Sequence, residues 1–263
     1  MVNIDQELCI GCRACEEDCA GDVIIVKDGK AEVTKRCIEC GHCVALCPVC
    51  AVSIPEYDMD DVEEYHPGTF HVNPENMLHA VKFRRSIRRY KPAKIEKDKA
   101  GRILDAGRYS ATAKNQQGCT FTFVQDGMDE FRKLVWEVMP SIVERLKKEA
   151  PLYGRVFGLF YSQWKANPQK DKLLFNAPAF LVITSDNQLD GGIAAANIEN
   201  VAAAEGVGAL YNGYMMRIIS KSPELKEWLG IGDKPVACCM LLGYPAVTYL
   251  RTAPRKKGDI IWK

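Results

Sequence analysis

The sequence lacks any apolar run long enough to cross a lipid bilayer. The longest apolar run near its C-terminus, Val236 to Leu242, is far shorter than the roughly 20 residues that a membrane-spanning helix needs. The first five residues carry neither the basic start nor the apolar segment of a secretory signal. We therefore expect neither a membrane partner nor secretion.

A strong net charge is also lacking, since the 263 residues sum to +1. With 47% hydrophobic and 26% charged residues, the composition is that of a folded globular protein and argues against disorder. The charge is nevertheless uneven, because residues 1–66 carry a net of ten negative charges and the remainder carries a net of eleven positive ones. This asymmetry predicts two modules with different partners.

Cysteine is abundant in one place only. Nine of the 12 cysteines lie between Cys9 and Cys50, and the others are Cys119, Cys238 and Cys239. In an intracellular chain, clustered cysteines indicate metal binding more often than disulfides. We assign no chemistry to Cys238 and Cys239, and we interpret Cys119 as a packed thiol, with a contact to a bound ligand as the weaker alternative.

The spacing C-x2-C-x2-C-x3-C occurs twice, starting at Cys9 and at Cys37. This spacing is typical of chains that bind two iron–sulfur clusters, in which the fourth cysteine of each run binds the other cluster. The expected ligands are Cys9, Cys12, Cys15 and Cys47 for cluster I, and Cys37, Cys40, Cys43 and Cys19 for cluster II. A zinc site and a disulfide scaffold are the weaker alternatives, since zinc prefers separated C-x2-C pairs or mixtures of Cys and His.

Residues 1–56 thus resemble a bacterial ferredoxin with two [4Fe–4S] clusters. Pro48 follows the second run as expected, whereas Ala20 stands where a proline would follow the first. Cys50 has no ligand position, and His42 is interpreted as a polar neighbour of a cluster. Short hydrophobic strands are predicted just after each run, at 22–26 and 51–54. An acidic linker without periodicity is predicted at 57–73.

The remaining chain, from 74 to 263, predicts an α+β sandwich in which helices outnumber strands. Asn73 and Pro74 form a typical helix start. The predicted helices cover about 74–82, 96–109, 129–149 and 190–206, with a short one after Ser222; the predicted strands are 120–124, 179–184 and 236–242.

Two polar segments of this second module suggest a ligand site. The segment from Phe83 to Tyr90 contains four arginines and a serine, and arginine forks suit phosphate oxygens. Asn115 and Gln117 precede a predicted strand, where side-chain amides can read the edge of a heteroaromatic ring. A basic stretch taken alone is more often a solvated surface.

Aromatic residues recur at helical spacing between Tyr153 and Trp164. One interpretation is the core-facing side of a helix. The other is a lid that stacks on a flat, electron-poor substrate.

Residues 75–263 resemble the nitroreductase family of FMN flavoproteins, through the order R-R-S-I-R, N-x-Q, G-V-G-A-L-Y-N-G, L-G-Y-P-A and P-R-K-K. The pairing with an N-terminal ferredoxin-like module resembles the ferredoxin–nitroreductase fusions of clostridia and other anaerobes. The resemblance implies an FMN site built from Arg84, Arg85, Ser86 and Arg88 (phosphate and pyrimidine side), Asn115 and Gln117 (ring or ribityl chain), Asn212 and Gly213 (near flavin N5 and O4), and Arg255 and Lys257 (phosphate).

The resemblance further implies an intertwined homodimer with FMN at the interface, in the cytoplasm of an anaerobe. The expected function is an FMN-dependent oxidoreductase that passes electrons through two [4Fe–4S] clusters to FMN and reduces nitroaromatic, quinone or related acceptors. The donor would be a ferredoxin or NAD(P)H, and no catalytic acid or base is assigned.

Three alternatives to this expected function remain. One is an NAD(P)H-driven nitroreductase with accessory clusters; the lack of a G-x-G-x-x-G fingerprint does not count against it, because the family does not use one. A second is a non-enzymatic electron carrier or redox sensor. The third, a nucleic-acid partner, rests on the arginines alone and is not expected, because the net charge is near zero and no aromatics interleave with the basic run.

Overall fold

Contacts divide the chain into two units in the computed structural model, which describes residues 1–263. The first unit comprises Met1–Val72 together with Thr112–Gln116. The second comprises Asn73–Ala111 and Gln117–Lys263. Five residues that follow a helix of the second unit in the chain therefore fold with the first.

The first unit is built from short elements around the two cysteine runs. Strands β1 and β4 pair antiparallel, and β2 forms an antiparallel hairpin with β3. The strand predicted after each cysteine run is found, as β2 and β4. The elements are β1 (Asn3–Ile4), α1 (Ala14–Glu17), β2 (Ile24–Lys27), β3 (Lys30–Val33), α2 (His42–Leu46), β4 (Val52–Ser53) and α3 (Pro67–Phe70).

The second unit has a four-stranded antiparallel sheet with the strand order β5-β6-β8-β7. The predicted α+β fold is thus confirmed, and each predicted helix and strand is found within about two residues. The strands are β5 (Thr120–Val124), β6 (Ala179–Thr184), β7 (Gly208–Tyr211) and β8 (Val236–Gly243). The helices are α4 (Pro74–Phe83), α5 (Lys97–Arg108), α6 (Met128–Glu149), α7 (Pro151–Ala166), α8 (Gln188–Ala204), α9 (Gly213–Ile219) and α10 (Pro223–Leu229).

The sheet is the middle layer of this unit, because β6 is buried along its whole length. Alternate residues of a strand point to opposite faces. Phe180 and Val182 pack with α6 and α7 on one face, whereas Leu181 and Ile183 pack with α5 and α8 on the other. Both faces of the sheet are therefore covered by helices, which explains the continuous apolar sequence of β6.

Helices α6 and α7 form an antiparallel pair that carries many of the large buried side chains. Trp136 of α6 stacks on Trp164 of α7 with their ring centroids 4.9 Å apart. Phe157 is fully buried in the same cluster.

None of the helices combines the length and apolar character that a membrane span requires. From Tyr244 to the C-terminus the chain forms no helix or strand.

Candidate functional site

Four cysteines line one cavity of the first unit. They are the four that the spacing assigns to cluster I, namely Cys9, Cys12, Cys15 and Cys47. The rest of the wall is largely apolar and includes Val26, Val49 and Val52. Thiolates in an apolar pocket suit a [4Fe–4S] cubane, whose potential depends on burial and on hydrogen bonds to sulfur.

Backbone amides are directed at the sulfur atoms of this cavity. Ala31 N donates to Cys9 Sγ at 3.4 Å, and Ala51 N donates to Cys47 Sγ at 3.1 Å. Gly11, at φ +63°, brings the loop so close to Gly29 that a Cβ would lie 2.2 Å from its carbonyl oxygen. Only glycine fits there, so the loop that carries Cys9 and Cys12 is held in a fixed shape.

The second set of cysteines gathers around the start of α2. Burial, followed by the neighbouring thiols of Cys37 and Cys40, raises the pKa of Cys43 to about 11. Val23 N donates to Cys19 Sγ at 3.4 Å, as Glu39 N does to Cys37 Sγ at 3.2 Å. No three His, Cys, Asp or Glu side chains of the described chain are placed to hold one metal ion. Cubane ligands each bind a different iron atom, so they stand further apart than the ligands of a single ion.

The remaining polar groups near the cysteine runs have other environments. His42 lies 2.8 Å from the Asp18 carboxylate through its Nδ1, and both side chains are largely exposed. Cys50 is exposed and adopts a left-handed backbone with φ +52°.

Asn115, which the resemblance assigns to the flavin, folds with the first unit. Its Nδ2 donates to the carbonyl oxygen of Glu39 at 2.8 Å and of Ile38 at 3.2 Å. Lys114 and Asn115 both adopt φ +53° in the surrounding 3₁₀ turn. Left-handed backbone at two consecutive non-glycine residues is strained and persists where neighbours hold it. Here the segment is held against the loop between Cys37 and Cys40.

The second unit contains a cleft of about 640 Å³. Arg88, Asn212 and Gly213 of the predicted FMN-binding residues line it. Its other lining residues are Tyr153, Phe160, Lys172, Leu173, Phe175, Leu210, Tyr211, Tyr214 and Arg217. The volume lies within the range of roughly 300–1,000 Å³ that is usual for small-molecule sites.

Asn212 fixes the backbone at the centre of the cleft. Its Oδ1 accepts from Met215 N at 3.1 Å and caps α9, while its Nδ2 donates to the carbonyl of Leu173 at 2.8 Å. The residue is buried. The side chain therefore ties the start of α9 to the loop before β6, and Gly213 is the first residue of that helix.

The loop before β6 is organised by a buried carboxylate. Asp171 Oδ1 accepts from Leu173 N and Leu174 N at 2.9 and 2.8 Å. Burial raises the pKa of Asp171, and Arg132, whose Nε lies 3.7 Å away, partly opposes the shift. The loop then passes through Phe175 at φ +52°. A bulky residue in that region is strained, and strain of this kind often marks functional sites.

Arg84 and Arg85 lie outside the lining of the cleft. Arg84 Nη1 donates to Oε1 of the buried Glu199 at 3.1 Å, and burial raises the pKa of Glu199 despite this partner. Arg85 Nη2 donates to the carbonyl of Arg251 at 2.9 Å, and its guanidinium lies over the ring of Tyr249.

The other predicted FMN residues are distributed as follows. Ser86 forms an isolated parallel bridge with Ala209 of β7. Gln117 is exposed, with φ +47°. Arg255 and Lys257 lie exposed in the C-terminal segment.

The structure places the aromatic residues of α7 in two environments. Phe157 and Trp164 pack in the core, whereas Tyr153 and Phe160 line the cleft. Lys172, Tyr214 and Arg217 were not singled out in the sequence, because Lys172 is an isolated cation in the loop before β6 and the other two lie in the short helix α9, which was not predicted. Arg217 has its guanidinium carbon 3.9 Å from the centroid of the Tyr153 ring.

Comparison with known proteins identifies both parts of the chain. The model of the nitroreductase family matches residues 81–244, which is more than half of the sequence. The chain belongs to the nitroreductase family. A 4Fe-4S dicluster domain model matches residues 1–48. The predicted combination of a dicluster ferredoxin domain with a nitroreductase domain is thereby confirmed.

Solved structures share the nitroreductase fold. A nitroreductase with bound FMN from Bacteroides fragilis is 21% identical, with a TM-score of 0.59 over 73% of this chain and 99% of that chain. One with bound FMN from Desulfitobacterium hafniense is 18% identical, with a TM-score of 0.58 over the same shares. An FMN-dependent nitroreductase from Clostridium difficile is 20% identical, with a TM-score of 0.53 over 72% of this chain and 100% of that chain.

A curated relative matches the dicluster domain alone. It is a component of the ion-translocating oxidoreductase complex of Methanosarcina acetivorans, and it is 43% identical over 47 residues. The match covers 18% of the nitroreductase-family chain and 18% of the relative. The chain thus spans less than a fifth of the length of that relative.

Proposed function

We propose that the protein is an FMN-dependent oxidoreductase in which two [4Fe–4S] clusters pass electrons to FMN, which reduces a nitroaromatic, a quinone or a related acceptor. One observation carries the proposal: a single chain joins a dicluster domain at 1–48 to a nitroreductase domain at 81–244. We take 1–56 as the ferredoxin-like domain, 57–73 as the linker and 74–263 as the FMN domain.

The cluster ligands in this proposal are the eight cysteines of the two runs. Support for cluster I comes from the shared cavity of Cys9, Cys12, Cys15 and Cys47 and from the amides directed at two of its sulfur atoms. Support for cluster II comes from the proximity of three thiols, since those of Cys37 and Cys40 contribute to the raised pKa of Cys43. Cys19 completes the second set by its position in the repeat.

The FMN site in this proposal centres on the cleft of the second unit. Bound FMN in the related structures from Bacteroides fragilis and Desulfitobacterium hafniense supports this cofactor. The donor set also fits, because the cleft combines flat aromatic walls with the cation of Arg88. Arg84 uses one of its five N–H donors on Glu199 and keeps others for phosphate. Arg85, Ser86, Asn115, Gln117, Asn212, Gly213, Arg255 and Lys257 complete the proposed set.

The cofactors would supply the redox chemistry, since a flavin converts one-electron transfers into the two-electron reduction of an organic acceptor. A nitro group that takes up two electrons and two protons yields a nitroso group and water. The chain's own part is to hold the reactants. Asn212 fixes the start of α9 at the cleft through its two hydrogen bonds, and aromatic side chains such as Tyr153 and Phe160 give the cleft flat walls.

A homodimer is part of the proposal. Helix α4 has ten residues and buries none of them, although its side chains include Met77, Leu78 and Val81. Ile261 and Trp262 in the C-terminal segment are 78% and 90% exposed. Exposed apolar surface of this extent usually marks a protein interface.

We further propose a cytoplasmic protein of an anaerobe, because thiols stay reduced in that compartment and the ligands Cys12 and Cys40 are exposed.

The proposal is tested by assembling the protein anaerobically with iron, sulfide and FMN, and by measuring bound flavin and turnover of a nitroaromatic or a quinone. We expect stoichiometric FMN and turnover with reduced ferredoxin as the donor. Turnover that only NADH or NADPH supports, and that survives loss of a cluster, would favour the NAD(P)H-driven alternative. Bound cofactors without turnover of any acceptor would favour an electron carrier or sensor.

A further inference from the structure

The cleft of the second unit has a one-sided charge. Three of its lining residues are cationic, namely Arg88, Lys172 and Arg217, and none is acidic. A cleft with walls of one charge sign concentrates ligands of the opposite sign, because low-dielectric walls focus the field.

None of these three cations has a carboxylate partner, although Arg88 Nη1 donates to the carbonyl of Ser86 at 3.4 Å. Many basic side chains of the second unit pair with an acid, as Arg102 does with Glu205 at 2.6 Å. No Asp or Glu lies within ion-pair distance of Lys172 or Arg217 in the described chain. Their charge is therefore available to a ligand, in contrast to that of Arg84, whose Nη1 is bound to Glu199.

Arg217 is held in place without a carboxylate partner. Its guanidinium carbon lies 3.9 Å from the centroid of the Tyr153 ring, which is a close cation–π contact. Stacking uses the face of the guanidinium and leaves its N–H donors at the edge. Those donors form the planar fork that matches a carboxylate with two hydrogen bonds.

The aromatic lining next to this arginine is rigid. Tyr214 packs edge-on against three other rings, with centroid distances of 6.5 Å to Tyr153, 5.5 Å to Phe157 and 5.5 Å to Phe160. Phe157 is fully buried and anchors the group. Such a wall favours a flat aromatic ligand over a bulky aliphatic one.

We propose that the cleft selects flat aromatic acceptors that carry an anionic group, such as a carboxylate, and that Arg217 and Lys172 recognise this group. The inference rests on the proposed function, since it names the substrate class of the same site. Arg217 is the specificity-determining residue, because it is the less exposed and the more firmly oriented of the two. Lys172 adds a second positive charge from the loop before β6.

The cofactor phosphate is the competing use for these cations. The resemblance assigns the phosphate and the pyrimidine side to Arg84, Arg85, Ser86 and Arg88, and the phosphate also to Arg255 and Lys257; of these only Arg88 lines the cleft. Lys172 and Arg217 belong to other elements, the loop before β6 and α9. An experiment on the FMN-loaded protein separates the two uses.

The experiment compares ligands that differ only in charge. Benzoate and benzamide have the same shape and are not reduced, so isothermal titration calorimetry on the FMN-loaded protein gives their affinities directly. The matched acceptors 4-nitrobenzoate and 4-nitrobenzamide give a ratio of kcat/KM values. The variants are Arg217→Gln and, as a matched control, Arg155→Gln, which removes an exposed arginine of α7 that does not line the cleft.

We expect the wild-type protein to prefer both anions, and Arg217→Gln to lower the preference about tenfold, the worth of a charge-assisted pair. Arg155→Gln keeps the wild-type preference. Equal preference for the charged and uncharged ligands in the wild-type protein would overturn the inference, as would loss of FMN from Arg217→Gln. In either case turnover of the nitro compounds still supports the proposed function, whereas absence of FMN or of all turnover in the wild-type protein refutes that function itself.

Discussion

The side-chain amide of Asn115 donates to the backbone carbonyl of Glu39 at 2.8 Å. Glu39 lies between two predicted ligands of cluster II, Cys37 and Cys40, and has a left-handed backbone with φ +54°. A strained turn that carries cluster ligands is thus held by a residue 76 positions away in the chain. The segment from Thr112 to Gln116 is part of the iron–sulfur unit in structural terms, although it follows α5.

Replacing Asn115 by alanine is predicted to loosen cluster II. The substitution removes hydrogen bonds to the carbonyls of Glu39 and Ile38, each worth about 1 kcal/mol. We expect iron release to a chelator from the anaerobic holoprotein to accelerate severalfold, and in one kinetic phase only. Lys114→Ala is the control, because Lys114 is an exposed residue of the same turn. Equal release rates for the two variants would contradict the proposed support.

Two glycines of α7 are predicted to respond oppositely to alanine. A Cβ at Gly154 would lie 2.7 Å from Lys147 N in the backbone of α6, whereas one at Gly158 would meet only Val143 Cγ1 at 3.6 Å. Gly154→Ala should destabilise the protein by about 1–3 kcal/mol through overpacking. Gly158→Ala should stabilise it by up to about 1 kcal/mol, because alanine favours the helix. Thermal unfolding of both variants measures the difference, and a lower melting temperature for Gly158→Ala would contradict it.

The cysteines of β8 are predicted to be unreactive over a wide pH range. Burial, followed by the charge of Glu199, raises the pKa of Cys238 to about 12, and burial also raises the pKa of Cys239. Since only the thiolate reacts, both remain neutral thiols between pH 7 and 9. Mass spectrometry of the holoprotein after iodoacetamide treatment should find Cys50 alkylated and both β8 cysteines intact.

The control for this labelling is the unfolded protein, in which all three thiols should react. Alkylation of Cys238 in the folded protein as fast as that of Cys50 would show that β8 opens to solvent, contrary to the packing described.

A charge on the apolar face of α4 is predicted to prevent dimer formation. Leu78 is 51% exposed in the single chain, so Leu78→Asp costs little in the monomer but would bury a charge in an interface. We expect light scattering after size exclusion to give a dimer mass for the wild-type protein and a monomer mass for Leu78→Asp. Asn76→Asp places the same charge on the same helix and should remain dimeric. A monomeric wild-type protein would refute the dimer proposal.

Local patterns were sufficient to predict most of the fold and part of the site. The cysteine spacing predicted the four thiols that share a cavity, because a cluster-binding loop is a local structure. The continuous apolar run of β6 and the helical spacing of apolar residues in α6 could also be recognised from the sequence. Strand β7 was not predicted as a strand, because its four residues begin with Gly208 and were interpreted only as part of the family motif G-V-G-A-L-Y-N-G.

Long-range relationships were not predictable in the same way. Arg84 and Glu199 are 115 positions apart, and no local pattern indicates that they pair. Lys172 and Arg217 are single cations in unrelated elements, so only the fold brings them to one cleft. The hydrogen bond from Asn212 to the carbonyl of Leu173, two residues before the strained Phe175, likewise joins positions 39 residues apart.

Anaerobic stopped-flow spectroscopy tests most directly whether the iron–sulfur domain supplies electrons to the flavin. The FMN-loaded holoprotein is mixed with reduced ferredoxin, NADH or NADPH while flavin absorbance is followed, and the same is done with Cys40→Ala and with Cys50→Ala as the matched control. We expect fast flavin bleaching by reduced ferredoxin, which is lost in Cys40→Ala and retained in Cys50→Ala. Fast bleaching by a nicotinamide that is unchanged in Cys40→Ala would contradict this expectation.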